Sequence, residues 1–251
     1  MPVNQLNPSP LSEERNQMPI FSKGYWKAAA KNFSDIKIIT FAAVIIALRV
    51  AVKFLTIPVS FGVEFSFDCY INSLGALVYG PLMGLAVGAV SDTLGCILHP
   101  SGPYFFPFIF VEMSSSFIFA LFLWKREITS PRVLLSKFTV NFFCNIILTS
   151  LIMKPYMRIF YGSGYSFINA TRIAKSLVLF PMEAMFITII LGALIPPLKA
   201  LKLLDSNQPK LNLSKKNIAV IIILTAVSVG LILLYVFWLK DFIAAHNIKL
   251  F

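Results

Sequence analysis

Between Cys69 and Phe108 the chain reads CYINSLGALVYGPLMGLAVGAVSDTLGCILHPSGPYFFPF, a run too apolar for a water-soluble domain and yet broken at fixed places by turn formers. Gly80-Pro81 is the first break. Proline lacks a backbone donor and pushes the residue before it out of helical dihedrals, so two membrane helices are expected to meet there at a tight turn. Gly80, Gly84 and Gly88 recur every fourth residue. They share one helical face on which a neighbouring backbone can come close, and Asp92 continues that face one turn further. His99-Pro100-Ser101-Gly102-Pro103 then ends the helix and leads into Tyr104, Phe105 and Phe106, an aromatic group suited to the membrane surface or to a flat ligand.

The rest of the chain is of the same kind. With 57% hydrophobic and 13% charged residues, and a mean hydropathy of +0.79, it carries more apolar surface than a soluble fold of this length can hide, and it belongs in a bilayer. A net charge of +11 would raise nucleic-acid binding in a soluble protein. Here it reads as basic loops facing the cytoplasm and anionic headgroups, with no nucleic-acid partner. Cys69, Cys96 and Cys144 lie in or at the ends of apolar segments without CxxC spacing, so inert thiols are expected rather than a disulfide or metal framework. The polar, proline-bearing start lacks the short apolar core of a cleavable signal peptide.

Residues 1–35 form a polar tail ending in FSKGYWKAAAKNF, which suits either a short helix on the inner leaflet or a solvated linker. A membrane domain over 36–203 follows, then a lysine-rich linker (204–216), a further apolar run (217–239) and a short tail (240–251). Within the domain, six spans are expected. The first covers about 38–57; the second and third flank Gly80; the fourth covers 106–124, the fifth 133–153 and the sixth 173–196. The first holds Ala43, Ala47 and Ala51 at four-residue spacing, a ladder for tight helix packing either inside the bundle or against a partner. After it, Val59, Phe61, Val63, Phe65 and Phe67 alternate with period two, which predicts an extended lid over 56–68 rather than a helix.

Charge counting tests this topology. With the amino terminus inside, Lys23, Lys27, Lys31, Lys125, Arg126, Arg132 and the linker lysines face the cytoplasm, as the positive-inside rule requires. Arg49, Lys53, Lys154, Arg158, Arg172 and Lys175 disobey it, gathering at the outer ends of the spans. Cations there either bind an anionic solute, with guanidinium able to hold carboxylate bidentately, or snorkel to headgroups. Snorkelling is the reading for Lys53, Lys154 and Arg158. Arg172 and Lys175 are three apart on one helical face, with Glu183 two turns deeper, and there a binding role is favoured. Asp92, on a glycine face, is expected to hydrogen-bond between helices.

The order of Gly-Pro, glycine-rich helix, Ser91-Asp92-x-x-Gly95 and HPSGPYFFPF resembles the substrate-capturing S component of energy-coupling-factor (ECF) vitamin transporters, in particular the folate-specific group, over about residues 35–196. That resemblance implies an all-α membrane protein: a six-helix S-component bundle, here with one additional C-terminal transmembrane helix. It implies a high-affinity subunit that takes folate from outside and joins a transmembrane coupling protein and two ATPases in a bacterial cell membrane. Arg172, Lys175, Pro181 and Glu183 match the group's R-x-x-K and P-x-E, while Ser176 stands where the group carries asparagine. Ala43, Ala47 and Ala51 match the small-residue series that contacts the coupling protein.

Folate fits the residue types too. Its flat pterin suits aromatic stacking, its donor and acceptor edge suits a carboxylate, and its glutamate tail suits basic groups. The candidate site is therefore Arg49, Glu64, Phe67, Tyr104, Phe105, Phe108, Glu112, Arg172 and Lys175, with packing against lipid or core as the alternative for each aromatic and a bond between helices for Glu112. No G-x-x-x-x-G-K-[ST] occurs, so no P-loop binds ATP here; His99 and His246 are too few for a histidine metal cage, and no catalytic constellation or cofactor site is expected. The competing readings are an S component for another vitamin or a queuosine-like precursor, and a membrane enzyme or assembly factor.

Overall fold

The computed structural model describes residues 19–55, 57–60, 63–100, 103–162 and 170–204, together with eight positions between 219 and 230. Helix α1 (Lys23–Lys31) is capped by Ser22, whose hydroxyl accepts from the Tyr25 amide, and it buries Tyr25 and Ala29, four residues apart. The Tyr25 ring meets Trp124 edge-on at 4.9 Å, and Trp26 stacks on Phe117 at 6.2 Å. The basic tail helix is thus docked on the protein itself, which neither a purely interfacial helix nor a solvated linker would be. A single 3-10 turn (Asn32–Ser34) leads to α2 (Ile36–Lys53), capped by Asp35. Its 18 residues span about 27 Å at 1.5 Å each. It ends before the expected boundary because the next residues pair as a hairpin, β1 (Ile57–Ser60) with β2 (Val63–Phe65), antiparallel, with Ile57 opposite Phe65. The period-two alternation is therefore realised as strand.

Helix α3 (Asp68–Leu98) is two helices joined at Gly80, which has φ 78° and ψ −178°. Only glycine adopts that conformation without strain, and Pro81 then starts the second arm. The chain reverses here. Asn72 of the first arm bonds Ser116, and a Cβ on Gly84 of the second would lie 3.3 Å from the Ser116 carbonyl. Asp68 and Glu112 share Arg49, while Gly88 abuts the Glu112 backbone. A straight helix would hold residues 68 and 88 about 30 Å apart. Both arms pack on α4 (Phe108–Leu123). A Cβ on Gly88 would sit 2.8 Å from the Glu112 carbonyl and 2.9 Å from the Met113 Cα, so the glycine face is where two backbones touch, as its spacing predicts.

The next rod joins α5 (Ser130–Val140), a widened π-helical stretch (Asn141–Leu148) and α6 (Thr149–Tyr161) without interruption. It runs beyond the expected Met153 and stops at Gly162, left-handed at φ 62°. The last long helix is α7 (Ala170–Ala200). By length and composition Ser130–Tyr161 and Leu179–Ala200 can cross a membrane, as can Asp68–Leu98 when the two arms of its reversal are counted together. Buried side chains such as Ile45, Leu77, Phe119, Ile187 and Leu191 form the core, while Val44, Leu48, Phe138, Phe142, Leu151 and Ile189 are exposed on the outside, as lipid contact requires. In the last apolar run, Thr225 donates to the Pro181 carbonyl of α7 at 3.5 Å.

Candidate functional site

Arg49 lies on the inward face of α2 and is fully buried. A guanidinium in that position requires partners, because an unpaired buried charge costs several kcal/mol. It has them from two other elements. Nε and one terminal nitrogen donate to the two Asp68 carboxylate oxygens, each at 2.9 Å. That same nitrogen also donates to Glu112, and the other reaches the Ser116 hydroxyl at 3.3 Å. Ser116 in turn donates to Asn72 at 2.7 Å, and Asn72 donates to Ser115 at 3.1 Å. One cation thus stands between two carboxylates, and the network ties α2, the start of α3 and α4 together. Glu112 is the member left most open, its side chain 27% exposed against 17% for Asp68 and none for Arg49.

One turn before Glu112, Phe108 opens an aromatic cluster. Its ring is 5.4 Å from Tyr156 and 6.1 Å from Phe105, and Phe105 also meets Tyr156 and Phe160. Phe67 lies 6.1 Å from Tyr70, which meets Phe186 on α7. Tyr104 is exposed. Of the nine candidate residues, Arg49, Phe105, Phe108 and Glu112 therefore fall at one end of the bundle around α4. The side chains of Glu64, Arg172 and Lys175 lie outside the described residues.

Lys53 pairs with Asp92 at 3.5 Å, and its stem fills the space beside Gly95. It bridges α2 and α3, where snorkelling was expected, and Asp92 links helices as its glycine face suggests. Lys154 and Arg158 are exposed. Glu183 is engaged by Lys137 at 2.9 Å, with the lysine 3% exposed. Asn141 donates to the Ser176 carbonyl and receives a bond from Asn145. Lys137, Asn141 and Asn145 fall within the expected fifth span, where they interrupt its apolar run. Their four-residue spacing, like that of Asp68 with Asn72 and of Glu112 with Ser116, was the available signal: it puts each set on one inward face. Among the described residues no group of three His, Cys, Asp or Glu side chains could hold a metal ion.

Fold and site together define a helical membrane protein whose bundle holds a polar, aromatic-lined end. The sequence profile described as "ECF-type riboflavin transporter, S component" matches residues 33–203, and the chain belongs to that family, which is a transporter component and not an enzyme. It is 25% identical to the folate transporter FolT of Clostridium novyi over 153 residues, 61% of this chain and 86% of that protein. It is 31% identical to the FolT of Leuconostoc mesenteroides over 144 residues, 56% of this chain and 77% of that one. A crystal structure of FolT bound with folic acid is similar at a TM-score of 0.53 and 28% identity, covering 61% of this chain and 91% of the other.

Proposed function

We propose that this chain is the folate-capturing S component of an ECF importer, binding its vitamin at the bundle end that holds Arg49, Phe108 and Glu112. What carries the reading is the Glu112 carboxylate, gripped by a buried guanidinium yet still open, one turn from the Phe108 ring. Relatives and a solved neighbour named for folate support it. In this reading Glu112 accepts from the amino and ring N–H groups of the pterin. Phe105 and Phe108, with Tyr104 and Phe67 at the rim, flank the heterocycle, and Glu64 on the hairpin is a second carboxylate for its edge. Arg49, its charge already met twice, holds Glu112 in place and leaves the glutamate tail to Arg172 and Lys175. Tight docking needs no bond-making, only an outward opening under the hairpin.

The amino terminus faces the cytoplasm in this arrangement, six spans build the bundle, and the run over 217–239 adds a seventh. Ala43, Ala47 and Ala51 are exposed while their neighbours Ala42, Ile45 and Arg49 point inward. That exposure favours an outer surface for the coupling protein, which brings two ATPases, over packing inside the bundle. Titration of the purified protein tests the ligand assignment. E112Q should weaken folate about ten- to a hundredfold, the scale of a charge-assisted hydrogen bond. R172E should weaken folate far more than a pterin lacking glutamate. Equal loss for both ligands would place the cation at the wrong end, and tighter binding of riboflavin than of folate would overturn the substrate.

A further inference from the structure

At the opposite end of α4 from Glu112, a cavity of about 420 Å³ opens between Ile20, the last turn of α4 (Leu121, Phe122), the connection (Arg126, Thr129) and the start of α5 (Pro131, Arg132, Leu135). That volume falls in the range of small-molecule sites. Among the described residues two guanidinium groups line it and no carboxylate does. Arg132 donates to the backbone carbonyl of Glu127 at 2.7 Å, and neither arginine forms a salt bridge among the described residues. The Nε of Arg126 is buried without a hydrogen-bond partner, and so is the hydroxyl of the adjoining Ser130. Buried donors of this kind are rare in finished structures and call for a partner. Thr129 caps α5 through its backbone only, leaving its hydroxyl unspent beside the positive end of the helix.

The rest of the wall is apolar. Ile20, Leu121, Phe122 and Leu135 surround the basic end, and Leu135, Phe138 and Phe142 continue as an exposed ridge along the same rod. A soluble anion would use the arginines and leave that ridge idle. An anionic headgroup with acyl chains uses both, and basic pockets between membrane helices are suited to such headgroups. We propose that this cavity is a binding site for an anionic phospholipid, its phosphate on Arg126, Arg132 and the start of α5, its chains along Leu135 and Phe138.

Native mass spectrometry of the full chain in detergent, titrated with dioleoyl-phosphatidylglycerol or dioleoyl-phosphatidylcholine, tests this directly. Phosphatidylglycerol should be retained at least tenfold more tightly than phosphatidylcholine, and glycerol phosphate, which lacks chains, should fail to displace it. R126Q/R132Q should lower retention about thirtyfold, the scale of two basic groups at an anionic surface, whereas K23Q/K27Q, on the exposed face of α1, should leave it unchanged. Equal retention of the two lipids, equal loss in both double variants, or displacement by glycerol phosphate would each overturn the site. The comparison of ligands on the unaltered protein decides the matter even where R126Q/R132Q does not fold.

Discussion

A charged side chain inside a bilayer survives only beside a partner, and among the described residues the two buried cations each have a carboxylate. Arg49 has Asp68 and Glu112; Lys137 has Glu183. Removing one member of the second pair strands the other, so K137M should destabilise the protein by about 3–5 kcal/mol. The double variant K137M/E183M should recover most of that loss, because two well-packed apolar side chains replace a pair that costs much to desolvate. Thermal unfolding in detergent reads both, and a double variant less stable than K137M would contradict the pairing. At this scale the sequence was half legible. An arginine in an apolar span announced that something must meet it. Its partners, 19 and 63 residues away, could not be read, because pairing across that distance depends on how the helices return to one another. The same limit hid the engagement of Glu183 by Lys137, 46 residues earlier on another helix.

The elements were more legible, since each is set by local chemistry. Gly80-Pro81 marks the reversal of α3, and the four-residue glycine repeat marks where α3 meets α4. Helix ends were read less well: α2 stops short at the hairpin, and α6 runs on through Pro155 to Gly162, where a left-handed residue ends it. Backbone contact at Gly88 yields a sharp expectation. A Leu side chain there would have to displace the Glu112 carbonyl, which lies 2.8 Å from the site of its first carbon. Overpacking of this sort costs about 1–3 kcal/mol, and it should also shift Glu112 and weaken folate binding. G88L should therefore show a lower melting temperature together with weaker folate binding in titration; unchanged values for both would mean that the two helices do not touch there. Extended backbone in the loop after α2 followed from alternation, since period two places successive side chains on opposite faces, whereas its pairing as a hairpin did not.

For the whole molecule, capture and transport are separable. Truncation after Ser206 should leave folate affinity within twofold of the full chain, because the contacts that hold Arg49, Phe108 and Glu112 all come from residues before Leu204, and the Thr225 contact to Pro181 lies on α7; loss of binding in an inserted truncation would assign the last apolar run to the site. A47L should spare binding and abolish uptake in cells carrying the coupling protein and ATPases, since it alters only an exposed ladder. Class and bundle were legible from apolar length and punctuation, whereas the tail helix docked through Tyr25 and Trp124 was not, because burial of one tyrosine leaves no periodic trace. The decisive measurement is chemical. The protein is purified from membranes of folate-grown cells, denatured, and the released compound identified by absorbance and mass. One folate per chain is the predicted result; riboflavin or another heterocycle in its place, or nothing released and no folate taken up on titration, would contradict it.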